Sequence, residues 1–170
     1  MPRALAQISL LVVLAAAGCA GYRLGPSNGE AAGNRSVEVS FFRNDTPQPR
    51  LAEAINHALR RAFQQDGTYR LSTHGDGDIV ISGVLVKYER PPLSFEPKDT
   101  LTPRDYRINL TAKITATERI TGRVLLDREV IGTTVVRALA DQTSTERQAL
   151  PLLADDLARR ATGLLADGSF

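Results

Sequence analysis

The chain has 170 residues, 42% of them hydrophobic and 24% charged, with a formal net charge of +2. That length suits one ordinary domain, and so small a charge gives no electrostatic argument for a nucleic-acid partner. One cysteine excludes an internal disulfide, and with only two histidines beside it the chain is a poor candidate for a His/Cys zinc site.

The N-terminus reads as an address. Arg3 is followed by an uncharged stretch from Ala4 to Tyr22, with a dense apolar run from Ile8 to Ala17. The run is shorter than the ~20 residues that a spanning helix needs. A short positive segment, a compact apolar segment and small residues after it make a secretory signal peptide. The single cysteine, Cys19, directly follows Ala16-Ala17-Gly18. That is the arrangement of a bacterial lipobox, in which the thiol receives a diacylglycerol; the alternative is a signal peptide with an incidental cysteine. Ala20 follows the cysteine, where an aspartate commonly retains lipoproteins in the inner membrane, so an outer-membrane address is expected. Cleavage before Cys19 removes Arg3 and takes the net charge from +2 to +1. A diacylglycerol and an N-acyl chain on Cys19 would anchor the protein stably, since one chain alone binds a membrane only marginally. No other cofactor is expected.

The expected organisation is therefore a signal peptide over 1–18, a lipid-anchored tether over 19–35 and a periplasmic domain over 36–170. The tether is rich in Gly, Ala and Asn. Alternation over Ser36–Phe41 predicts a half-buried strand, and Asn44-Asp45-Thr46-Pro47 predicts a turn. From about Pro49 to Asp66 the spacing of Leu51, Ile55, Leu59 and Phe63 predicts an amphipathic helix, stopped by Gly67. His57 falls on its polar face. Tyr69–Ser72 is a short strand, and Thr73–Asp78 is a turn without the spacing of a calcium loop. Ile79–Tyr88 is almost continuously hydrophobic, which predicts a central strand covered on both faces for at least part of its length. Arg90–Pro103 holds four prolines and reads as a long loop. Next comes the cleanest alternation in the chain. Tyr106, Ile108, Leu110, Ala112, Ile114 and Ala116 point one way, and Arg107, Asn109, Thr111, Lys113, Thr115 and Thr117 the other. A turn at Thr121-Gly122 leads to a strand from Val124 to Leu139, bent near Gly132. A final helix carries the capping box Thr143-Ser144-Thr145-Glu146, with Pro151 near its start.

The predicted fold is α+β: a mixed sheet of four to five strands with two helices on one face, in the order β-α-β-β-β-β-α. The polar face of strand 106–117 then has no helix left to cover it and must meet water or a partner. Nucleophile elbows, P-loops, dinucleotide fingerprints and zincin motifs are missing from the sequence, and the cysteine is committed to the lipobox. A binding or assembly protein is expected, not an enzyme.

Three short motifs, in order, carry a resemblance. Cys19-Ala20-Gly21-Tyr22-Arg23-Leu24 is similar to a family start of Cys-Gly-Tyr-His/Arg-Leu with one inserted residue. Val39–Thr46 resembles a strand ending in Phe-x-Asn-x-Thr before a helix, and Asp76–Gly83 resembles an Asp-x-x-Leu-x-Gly segment. Over roughly residues 19–167 the chain resembles the LPS-assembly lipoproteins. Members of that family plug the large outer-membrane β-barrel that translocates lipopolysaccharide, help it fold, and bind the lipid on its way to the outer leaflet. The resemblance implies two partners, the barrel and lipopolysaccharide, besides the membrane. Basic side chains bind phosphates, so Lys87, Arg90, Lys98, Arg104, Arg107 and Lys113 are the candidate contacts, interleaved with Glu89, Glu96, Asp99 and Asp105. Periplasmic activators of peptidoglycan synthases share the strand, Phe-x-Asn-x-Thr and helix pattern and are the competing reading. They usually carry a longer tether than these ~16 residues, which span roughly 55 Å fully extended.

Overall fold

In a computed structural model, residues 32–137 and 142–168 are described. The signal peptide, Cys19 and most of the tether lie outside them. Seven strands and two helices follow in the order β1 (Ser36–Val39), β2 (Arg43–Asn44), α1 (Leu51–Asp66), β3 (Arg70–Ser72), β4 (Ile79–Glu89), β5 (Pro92–Glu96), β6 (Asp99–Glu118), β7 (Val124–Arg137) and α2 (Gln142–Ala166). The α+β class and the order of the main elements are as expected, with the short β2 and β5 added.

The sheet is mixed. β1 runs parallel to β3 on one side and to β4 on the other, β2 runs parallel to the middle of β4, and β6 is antiparallel to β4, β5 and β7. The helices cover one face. Leu51, Ile55, Leu59 and Phe63 of α1 are at most 1% exposed, as are Leu153 and Leu157 of α2; α1 lies over β1, β2 and β3, α2 over β7 and β6, and they share one core with Ile108, Leu110, Ala112 and Ile114 of β6. The two helices lie side by side. Arg61 bonds Asp155 at 2.5 Å, and the Tyr69 hydroxyl donates to the Leu165 carbonyl at 3.2 Å. Gly67 ends α1 with φ of 73°, its N–H reaching the Phe63 carbonyl. Asn44 makes the expected turn: its Oδ1 accepts from the Thr46 N–H and hydroxyl, and its Nδ2 donates to the Gln48 carbonyl.

Three expectations need correction. The segment Arg90–Pro103 is not a loop but a hairpin arm, made of β5 and the first residues of β6. Pro91 and Pro97 lie outside its two strands, and Pro92 and Pro103 are tolerated because a strand of a two-stranded arm has an open edge, where a missing N–H costs no ladder bond. Second, β4 is central but not covered on both faces. Ile79, Ile81 and Leu85 are buried, whereas Ser82 is exposed, Val84 half-buried and Val86 42% exposed. Alternation already puts Val86 on the uncovered side, and a register shift between Leu85 and Lys87 keeps Lys87 on that side with it. Third, α2 begins at Gln142, so Thr143 is already helical and is not its cap, and Pro151 lies well inside the helix. Pro151 is exposed, so water can reach the carbonyl that loses its donor.

The expected tether is tied down before its end. Gly33 N–H donates to the Thr68 carbonyl at 2.9 Å, and Arg35 pairs with Glu118 at 2.5 Å. Asp78 clasps the start of β1: its carboxylate accepts from both the Ser36 N–H and hydroxyl at 2.7 Å. Those bonds, the hydroxyl's first, hold the Asp78 carboxyl below the usual carboxylate range. The stabilisation is thus present above the unfolded value of about 3.9 and is lost as pH falls through the lower folded value. Asp78→Asn should cost roughly 1 kcal/mol at neutral pH, with the gap to wild type closing in strong acid, as read by urea melts across pH. At Gly132 an added Cβ would lie 2.7 Å from Leu157 Cβ and 3.0 Å from the Leu153 carbonyl. Gly132→Ala should therefore destabilise by about 1–3 kcal/mol through overpacking between β7 and α2, measurable as a lowered melting temperature.

Candidate functional site: the uncovered face and the arm

Among the described residues one face of the sheet carries no helix, and β6 crosses that face between β4 and β7. Alternation puts Arg107, Asn109, Thr111, Lys113, Thr115 and Thr117 on that face, half-buried or exposed. Register supplies their neighbours. Lys113 lies between Val84 and Glu129, Thr115 between Ser82 and Asp127, and Thr111 between Lys87 and Ile131. The charges answer one another across strands. Lys113 Nζ is 3.7 Å from Asp127 Oδ1 and the Thr115 hydroxyl donates to the same oxygen at 3.4 Å, while along β4 Lys87 meets Glu89 at 2.9 Å. All these side chains are substantially exposed, so each pair adds little stability. Together they make a surface rich in donors and acceptors and nearly neutral in charge. Ile131 and Val135 of β7 are half-exposed on its far side.

The arm is different. Leu93 (42% exposed), Phe95 (44%) and Leu101 (88%) give it an apolar exterior. Its base is fastened by polar contacts. Asp105 accepts from the Ser94 hydroxyl at 2.5 Å, with Arg104 Nε at 3.4 Å and Arg137 Nε at 3.8 Å. Arg90 pairs with Glu146 of α2, and its guanidinium lies 4.9 Å over the Tyr106 ring.

The six basic residues singled out from sequence are thus not one patch. Lys87, Arg107 and Lys113 share the uncovered face, Lys98 is exposed at the arm's tip, Arg104 is on its stem and Arg90 at its root. Lys87, Arg90, Arg104 and Lys113 each have an acidic neighbour; Lys98 and Arg107 have none among the described residues. Sequence reasoning missed Asp105 and Glu146 as organisers. Asp105 was legible only as one charge among several, and Glu146 read as a capping residue. Among the described residues no group of three His, Cys, Asp or Glu is placed to hold a metal, and no helix is long and apolar enough to cross a membrane. His57 and His74 are both exposed.

Comparison with known proteins places this geometry. A solved structure from Xanthomonas campestris superposes with a TM-score of 0.60 at 10% identity, covering 86% of this chain and 92% of that one. A hypothetical protein from Chlamydia trachomatis gives 0.55 at 9% identity, covering 78% and 96%. A putative lipoprotein from Caulobacter crescentus gives 0.51 at 8% identity, covering 74% and 87%. Likeness at such low identity establishes the shared fold alone. No curated protein sequence matches the chain. The family model described as lipopolysaccharide-assembly, LptE, matches residues 35–162, from the start of β1 through most of α2. With three quarters of its length matched, this chain belongs to the lipopolysaccharide-assembly family.

Proposed function

We propose that the protein is an outer-membrane lipoprotein, acylated on Cys19, that plugs a lipopolysaccharide-translocating β-barrel from the periplasmic side, assists its assembly and contacts the lipid in transit. Family membership supplies the process. The observation that carries the plug is the uncovered sheet face. A barrel lumen is lined by polar side chains, and a partner for it needs a hydrogen-bonding surface without a large net charge. The row of Thr111, Lys113, Thr115 and Thr117, answered by Asp127 and Glu129, has that character.

Dimensions support the same reading. β6 has 20 residues, about 60 Å of strand, which exceeds the 40–45 Å of a whole bilayer. One of its ends, Glu118, is paired with Arg35, where the chain arrives from the direction of Cys19. The other end carries the arm. With the acyl chains in the periplasmic leaflet, the arm reaches toward the outer-leaflet end of the lumen. Its Leu93, Phe95 and Leu101 suit acyl chains there, and Lys98 and Arg104 suit phosphates.

The lipid contact is tested by charge reversal. Arg104→Glu, Arg107→Glu and Lys113→Glu together should weaken binding of labelled rough lipopolysaccharide at least about tenfold, because charge-assisted bonds to phosphate are the strong ones. Unchanged affinity would contradict it. The anchor is tested separately. Cys19→Ser should abolish acylation, seen as loss of the acyl mass from the peptide that carries residue 19. Retention of the acyl mass on that peptide in the variant would exclude Cys19 as the attachment point.

A further inference from the structure

The arm leaves the body at one joint, and the joint is built. Among the described residues β5 packs substantially on β6 alone. Its five residues pair with β6 through three register shifts, so the ladder is irregular, and a two-stranded hairpin is only marginally stable in water by itself. Beyond the continuity of β6 and the bond from Ser94 to Asp105 at the base, little within the arm fixes its direction. The root does. Arg90 is followed by Pro91 and Pro92, which fix their own φ and hold the residue before them in extended backbone. Arg107 N–H donates to the Pro91 carbonyl at 3.0 Å. A tilt at Arg90 is thus transmitted along a stiff segment to the tip.

Two contacts among the described residues hold Arg90. Its guanidinium pairs with Glu146, the two side chains being 31% and 20% exposed, and it also covers the Tyr106 ring. Glu146 stands on α2 one turn before the buried Ala149 and Leu150, so the carboxylate is fixed to the core. We infer that Glu146 and Arg90 form a clamp that sets the direction of the arm, with Arg90 a positioning residue and not itself a ligand of the transported lipid. The inference rests on the reading of the arm as a lipid-contacting element and assigns one of its cations a different task. A guanidinium already facing a carboxylate and a ring would have to leave both to take a phosphate.

The two roles predict opposite results for one substitution. If Arg90 bound lipid directly, Glu146→Gln would leave affinity unchanged or raise it. If the clamp positions the arm, the same change weakens binding. The experiment uses the full chain with Cys19→Ser, so that spin labels attach only at Glu96→Cys on the arm and Gln64→Cys on α1. Electron–electron distance distributions report the arm's direction, and labelled rough lipopolysaccharide reports affinity. The circular-dichroism melting midpoint shows that each variant is folded. We expect Glu146→Gln to broaden the distances and weaken binding about two- to fivefold, the size of one partly exposed ion pair. Arg90→Glu should do the same, and Arg90→Glu with Glu146→Arg should recover both. Wild-type distances or wild-type affinity in Glu146→Gln would overturn the inference, as would failure of the swap to recover either. Lys98→Glu, at the tip of the arm, leaves both the clamp and the base at Asp105 intact and tests the lipid reading by itself. Lost binding with unbroadened distances supports lipid contact on the arm. Unchanged binding overturns that reading, and the distances then decide the clamp alone.

Discussion

The structure hangs on β6. A strand of 20 residues with strict alternation must put one side chain set in the core and the other outside, and a slip of one residue would reverse them. Ile108, Leu110, Ala112, Ile114 and Ala116, none more than 1% exposed, belong to the core that the helices close, with α2 packed on β6 and β7 and α1 on β1, β2 and β3. The same alternation necessarily turns Asn109, Thr111, Lys113, Thr115 and Thr117 away from the helices. β6 also pairs along its lower part with β4 and β7, and along its upper part with β5. Core, uncovered face and arm are three consequences of one strand.

The lower part is a sheet supported by a core, whereas the upper part is a ribbon supported by its root. That division explains where the ionic contacts fall. On the uncovered face they are exposed cross-strand pairs such as Lys113 with Asp127, worth little in stability but well suited to matching a polar wall. At the joint they are less exposed and converge on two carboxylates, Asp105 and Glu146. A partner surface and a mechanical joint make different demands on the same residue types.

Much of this was legible in the sequence because it follows from period. The stripe Leu51, Ile55, Leu59, Phe63 specified α1 and its buried side, Gly67 its end, and the alternation 106–117 both faces of β6. What was not legible depended on neighbours. Prolines 91, 92, 97 and 103 suggested a loop, since nothing local says that the segment pairs only with itself and so spares its edges. The apolar run of β4 suggested two covered faces, but the valines Val84 and Val86 owe their place to strand geometry, not to burial. Lys87, Arg90, Lys98, Arg104, Arg107 and Lys113 are close in sequence, but a strand, a joint and an arm distribute them over three places. The acidic partner of Arg90 is 56 residues away in sequence, beyond any local pattern.

The central claim is that the uncovered face of β6 meets a polar barrel wall in the cell. A photocrosslinking residue replacing Thr115, in the middle of that face and far from the arm and the anchor, tests it most directly. Illumination of intact cells should join the protein to one large outer-membrane β-barrel, with the yield falling when the same residue replaces the buried Leu110. An adduct with a cell-wall synthase, or no adduct from Thr115, would contradict the account.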